Sequence, residues 1–467
     1  MNNPAITNLR RNRAIVLNDN LINALLQNTG FKITLLFAAH VLLAVVTSQF
    51  RPLATLHALA TLAVGFWLAA TSRQPEKITL VAAYITGSEV LWRMTQAQVF
   101  WEFGKYSVVA ILALAMLRTG QLRGFTLPFL YFALLLPSTV FPMENVGTDE
   151  LRGHLSFNLS GPLALTVCAW YFSQIRLPLS AFYRALLFLV APIIGIGTLT
   201  LMGTFKASVL RFGNESNFVT SGGFGPNQVS AILGLGVLAI FLYLLVEKRS
   251  PVFKSLLFAL LIGMAAQSAM TFSRTGLYNA AVSAVAGTFY LVRDRRARLK
   301  LLGLVVCGFL VANYVLLPRL EQFTSGTLLK RFQSTSLTGR DAIIRADLQI
   351  WSDNPVFGVG PGQAAPYRAM LHREAAAHTE FSRMLAEHGV FGFLALLLLS
   401  LIGYRNLRRA RDPKALALAA ALTCWGFGFM LVTAMRLVAP AVILGLGSIL
   451  LYPDEPEPDA AERPSHQ

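Results

Sequence analysis

The chain has 467 residues, 55% of them hydrophobic and 13% charged, with a mean hydropathy of +0.56. Soluble domains carry about 25% charged residues, so this composition excludes an ordinary soluble globular protein. A formal charge of +17 would point to nucleic acid in a soluble chain; here Lys and Arg crowd the short gaps between apolar blocks, where membrane topology accounts for them, and no nucleic-acid partner is expected.

Along the chain, apolar blocks fall near 31–49, 53–71, 78–98, 103–117, 125–140, 160–176, 184–203, 226–246, 255–271, 276–292, 299–317, 389–403, 415–434 and 438–451. Most have about the 17–23 residues that a helix needs to cross the hydrocarbon core. The periodicity therefore predicts an all-α polytopic membrane protein of about 12–14 transmembrane helices embedded in a lipid bilayer. Arg10, Arg11 and Arg13 precede a polar stretch, with no compact signal-peptide pattern, so the first span is expected to act as an uncleaved anchor. Cys168, Cys307 and Cys424 all fall inside apolar segments without CxxC spacing and read as core thiols.

The gaps alternate in charge. Arg73 with Lys77, Arg118 with Arg123, Arg176 with Arg184, Lys248-Arg249 with Lys254, the bases from Arg293 to Lys300, and those from Arg405 to Lys414 form one set. The intervening gaps carry few bases: Arg51, Arg93, Arg152, Lys206 with Arg211, Arg274 and Arg436. Because short cytoplasmic loops are base-rich, the first set is expected inside, together with both termini. The expected layout is a cytoplasmic segment at 1–30, a transmembrane region at 31–317, a periplasmic catalytic loop at 318–388, C-terminal spans at 389–452, and a disordered cytoplasmic tail at 453–467.

The long loop is the most polar ordered-looking stretch. Thr338 or Asp341 can cap a helix over about 342–351, which Asn354-Pro355 ends. Gly358, Gly360 and Gly362 around Pro361 predict a turn, and a second helix is expected from about Ala376 towards the membrane.

His378 is the sharpest candidate for chemistry, since an imidazole can take and return a proton near neutral pH. A histidine at a helix head with no chemical role would leave the same signature. Arg211, Arg274, Arg340 and Arg436 fall on the outer side of the expected topology. Arginine grips a diphosphate in a two-pronged manner, although Arg274 and Arg436 could equally snorkel to headgroups. Arg93 is a further candidate or a simple i,i+4 partner of Glu89. Asn227 and Gln228, after Pro226, stand at a helix start that favours anions. Glu380 is a weaker alternative. No HExxH, DxD or EF-hand pattern calls for a metal.

Four pieces in order resemble the O-antigen ligase/polymerase superfamily of bacterial membrane glycosyltransferases: Arg211 with Gly225-Pro226-Asn227; Phe272-Ser273-Arg274-Thr275-Gly276; Gly339-Arg340 with Trp351 and Asn354–Gly360; and His378-Thr379-Glu380-Phe381 leading to Glu387–Gly392. The resemblance covers about 205–395. It implies a GT-C-like fold and transfer, at the periplasmic face of the inner membrane, of a glycan from undecaprenyl diphosphate to an acceptor hydroxyl, without metal or cofactor. His378 would be catalytic, with Arg211, Arg274 and Arg340 on the diphosphate. Arg93, Asn227, Glu380 and Arg436 would be further substrate-site residues. Two departures stand out: Thr379 replaces the usual asparagine, and Gly225-Pro226-Asn227 the usual Asn-Pro-Asn. The expectation leans to a polymerase for O-antigen or exopolysaccharide, working beside a flippase and a chain-length regulator. A ligase acting on lipid A-core and a transporter of lipid-linked sugars are the alternatives.

Overall fold

The computed structural model describes residues 29–120, 123–140, 147–207, 209–246, 250–292, 295–334, 339–371 and 376–454. The basic N-terminal segment, Thr338 and the tail from 455 onwards lie outside the described residues.

Every apolar block contains a helix. In chain order these are α1 (Thr29–Gln49), α2 (Arg51–Thr71), α3 (Pro75–Met94), α4 (Phe103–Thr119), α5 (Thr126–Ala133), α6 (Thr148–Phe172), α7 (Leu179–Lys206), α8 (Pro226–Val246), α9 (Pro251–Met270), α10 (Thr275–Leu291) and α11 (Arg295–Val311). A π-turn at Ala312–Leu316 continues α11 into α12 (Leu317–Phe323). The long connection holds α13 (Thr327–Gln333), α14 (Arg340–Asp353) and α15 (Ala364–Leu371), and the chain returns through α16 (Glu380–Arg409), α17 (Pro413–Val432) and α18 (Ala439–Leu446). Among the described residues, eight helices are long and apolar enough to cross a membrane. The chain is an all-α, multi-pass membrane protein.

Small residues let the central helices approach closely, the usual device where lipid removes the hydrophobic drive between helices. A Cβ on Gly276 of α10 would collide with the Ser230 carbonyl of α8, and one on Gly87 of α3 with the Leu189 carbonyl of α7. By contrast, none of the spanning window of α11–α12 is buried, so this element faces lipid.

Three expectations need correction. The block at 125–140 forms only the eight-residue α5 and a 3₁₀ turn at Pro137–Thr139; Pro137 cannot continue a helix because it lacks an N–H. The block at 438–451 forms the eight-residue α18, every residue of which is buried, and then strand β2 (Leu450–Tyr452). α18 is tolerated inside the bundle because protein surrounds its backbone, whereas α5 buries only Pro128 and Tyr131. The span expected to end at 317 runs on to Phe323.

β2 pairs in parallel with β1 (Arg176–Pro178), the one pair of strands among the described residues. The pairing brings the gap after α6 to the C-terminal end of the described chain, and Arg409 Nη2 donates to Ser173 O at 2.5 Å. Two base-rich gaps thus share one end of the bundle. At the opposite end, Val438 N donates to Glu89 Oε2 at 2.6 Å and Arg436 Nη2 to Ala377 O at 3.2 Å, so base-poor gaps and the long connection lie together.

Candidate functional site

α14 begins at Gly339, whose φ of 81° suits glycine alone, and no side chain caps it; Asp341 instead pairs with Arg345 at 2.8 Å. The expected turn is present, with positive φ at Gly358, Gly360 and Gly362. α16 starts at Glu380, where the Thr379 side chain accepts from Ser382 N at 3.1 Å. Threonine thus fills the N-cap role for which asparagine is equally suited, which accounts for the departure from the expected motif. α16 then kinks at Gly389 (φ 59°, ψ −137°).

An arginine cluster forms where α13 docks on the corner between α9 and α10. Phe272 holds a positive φ of 57°, a conformation that is costly for a bulky residue. It aims the Phe272 carbonyl at Arg331, whose Nε donates to it at 3.0 Å. Arg274 Nη1 donates to Ser334 O, and Tyr278 Oη to Phe332 O at 3.0 Å. Arg340 Nη2 reaches Asn227 Oδ1 at 3.4 Å, and the same oxygen accepts from Ser273 Oγ at 2.7 Å. Arg331 is buried, and its Nη1 has no hydrogen-bond partner among the described residues. Burial, then the charges of Arg274 and Arg340, hold its guanidinium below the usual arginine range. A site that makes three guanidinium groups repel one another is prepared for an anion. Arg211 stands at the rim: exposed, and next to Phe212, which stacks on Phe272 at 5.1 Å.

His378 is half-buried just ahead of α16. Hydrogen bonds connect its neighbourhood to the cluster. Arg436 donates to the carbonyl of Ala377, and the Arg436 carbonyl accepts from Arg93 Nη2 at 3.1 Å. Arg93 Nη1 donates to Gln228 Oε1 at 3.2 Å, one residue from Asn227. Arg93 also pairs with Glu89 at 2.8 Å and lies 4.3 Å from the Trp101 ring centre. Its contacts make it a brace between α3, α8 and the 433–438 loop; the i,i+4 spacing anticipated only the pair with Glu89. Beside this brace, a cavity of about 460 Å³ is lined by His154, Asn158, Ala377, Arg368, Glu387 and Arg436, among others.

Glu380 is saturated. It accepts from Arg383 at 2.5 and 3.0 Å and from Met435 N at 3.0 Å. Arg383 Nη1 also donates to Glu387 at 2.5 Å, while Arg368 bonds Asp347 at 2.5 Å and approaches Glu387 at 3.8 Å. These five side chains are all buried, and they lock the long connection onto the head of α16. Sequence reasoning missed Arg331, Arg368, Arg383 and Asp347. The spacing of Glu380, Arg383 and Glu387 at i,i+3 and i,i+4 could have revealed two pairs; nothing local marks Arg331. Among the described residues, no three His, Cys, Asp or Glu groups gather as a metal site requires.

Fold and site together define a multi-pass helical membrane protein with an arginine cluster at one end, joined by hydrogen bonds to the neighbourhood of a helix-head histidine. Residues 259–397 match the Wzy_C family model, described as O-antigen ligase. The chain carries an O-antigen ligase domain and is an enzyme of the glycosyltransferase type. The match takes in Arg274, Arg331, Arg340 and His378, while Arg93, Arg211, Asn227 and Arg436 lie outside it. No curated protein matches the chain.

Proposed function

We propose that the protein is a GT-C-like glycosyltransferase of the bacterial inner membrane. It moves a glycan from undecaprenyl diphosphate to a sugar hydroxyl at the periplasmic face, as a polymerase of O-antigen or exopolysaccharide. The observation that carries this reading is the convergence of Arg274, Arg331 and Arg340, with a buried unpartnered nitrogen on Arg331, one short hydrogen-bond chain away from His378.

In this reading the arginines hold the donor diphosphate and stabilise the charge that grows on it as it leaves. The acceptor hydroxyl oxygen attacks the anomeric carbon. The new C–O bond forms as the bond to the diphosphate oxygen breaks, and that oxygen keeps the bonding electrons. His378 takes the hydroxyl proton and later releases it to solvent. The cavity beside Ala377 and Arg436 has room for sugar rings of the acceptor. Glu380 and Glu387 serve by fixing the backbone around His378.

The test is reconstitution of the purified protein in nanodiscs with undecaprenyl-diphosphate glycan and either a second lipid-linked glycan or lipid A-core as acceptor. Chain extension with release of undecaprenyl diphosphate is expected. Transfer to lipid A-core alone would make the protein a ligase, and donor translocation without release would make it a transporter.

A further inference from the structure

A second cavity lies at the opposite end of the bundle, where the base-rich gaps gather, and the glycan-transfer reading leaves it unused. It measures about 740 Å³ and is edged by Arg123, Arg176, Arg405 and Arg409, with Gln174 and Asn406 among its other polar groups. Among the described residues, none that line it is acidic. We infer that it is a second binding site, for a phosphate-bearing ligand.

Base-rich loops alone do not account for it. The positive-inside tendency places arginines on this side, but like charges free to move would splay into water. Here three separate segments deliver them to one concavity: the gap before α5, strand β1 and the last turns of α16. The β1–β2 pairing fixes the backbone of Arg176. Trp170 Nε1 donates to the Arg123 carbonyl at 3.1 Å, and Arg409 reaches across to Ser173 O at 2.5 Å. Arg405 and Arg409, four apart on one helix, present the same face. Gly120 and Gly124, both at positive φ, have no atom within 4 Å of where a Cβ would stand, so the rim stays open. The volume falls in the range of small-molecule sites, about 300–1,000 Å³, and several arginines without a carboxylate suit phosphate oxygens taken in pairs. Trp170 lies at a tilt against Phe125, ring centres 5.7 Å apart, the kind of aromatic pair that marks headgroup depth. Both an anionic phospholipid headgroup and a free phosphorylated solute carry this chemistry.

The experiment compares the full chain with an Arg123→Gln/Arg176→Gln/Arg405→Gln variant, keeping Arg409 because it ties α16 to Ser173. One arm is native mass spectrometry from micelles doped with phosphatidylglycerol or with phosphatidylcholine. The other is thermal melting with inorganic pyrophosphate. Retention of phosphatidylglycerol by the wild type, at least tenfold above the variant and absent with phosphatidylcholine, identifies a headgroup site. A pyrophosphate-induced rise in melting temperature, lost in the variant, identifies a soluble ligand. Equal behaviour of the two proteins in both arms overturns the inference. Should the triple variant fail to fold, Arg405→Gln alone, an exposed position, carries the same comparison with a smaller expected loss.

Discussion

Two observations meet beside His378: the residues before it, Ala376 and Ala377, line the cavity, and the Ala377 carbonyl is held by Arg436. His378→Ala removes a base worth roughly 10²–10⁴-fold in rate and little buried apolar surface. Glycan transfer by the purified variant should fall by that factor, while donor binding and melting temperature stay near wild type; undiminished turnover would reduce His378 to a helix-head residue. Arg331→Lys keeps the charge but loses the planar fork. The donor dissociation constant should rise about tenfold, equivalent to about 1.4 kcal/mol, measured by titration with lipid-linked glycan; an unchanged constant would remove Arg331 from the diphosphate site. Glu380→Gln is the contrasting case. It leaves a buried Arg383 with one carboxylate instead of two, at a cost on the order of 3 kcal/mol. Its signature should be a lower melting temperature and lower protein level, whereas a stable but inactive variant would restore Glu380 as the alternative to His378 as base.

On the scale of elements, the kink in α16 and the glycine turn before α15 are one device. Gly358, at φ 66°, lies against the backbone of Glu387 and His388, and Gly389 against Val356 and Gly358. Val359 N and Gly360 N donate to the Ala386 and Glu387 carbonyls, each at 3.0 Å, which satisfies groups that the kink frees from the helix. A Cβ at Gly358 would collide there and also strain the backbone. Gly358→Ala should therefore destabilise the protein by about 1–3 kcal/mol and unseat the head of α16, lowering the melting temperature and the transfer rate together. A wild-type melting curve would show that the turn docks less tightly than its contacts imply. α13 is a second such device, since Arg331, Tyr278 and Phe332 pin it to the α9–α10 corner and so bring a third arginine to Arg274 and Arg340.

Over the whole molecule, the two ends of the bundle gather their arginines differently. One gathers arginines from the long connection and the 271–275 corner; the other gathers them from the base-rich gaps. Membrane sidedness can be read with an impermeant maleimide after Cys168, Cys307 and Cys424 are replaced. A cysteine at the exposed Arg345 should label from the periplasm, and one at Arg408 only after the inner membrane is opened. The reverse pattern would put the proposed transfer site on the wrong side of the membrane for a periplasmic acceptor.

The apolar blocks and the alternation of basic and base-poor gaps were legible in the sequence, because span length and loop charge are properties of consecutive residues. The same holds for the Asn354-Pro355 helix stop and the glycine turn, which local backbone preferences dictate. Tertiary structure decided the rest. The block at 438–451 becomes a short buried helix and that at 125–140 a short, partly exposed one, outcomes set by their neighbours in space and not by the apolar run itself. Arg93 becomes a brace because a carbonyl 343 positions away, that of Arg436, accepts its hydrogen bond. Arg331 joins the arginine cluster because a strained Phe272 turns its carbonyl outwards. Glu380 loses its candidacy as a base to Arg383 and the Met435 N–H. A charged side chain's role rests on which partner or cavity it meets, and in a bundle of many spans that partner comes from a distant part of the chain.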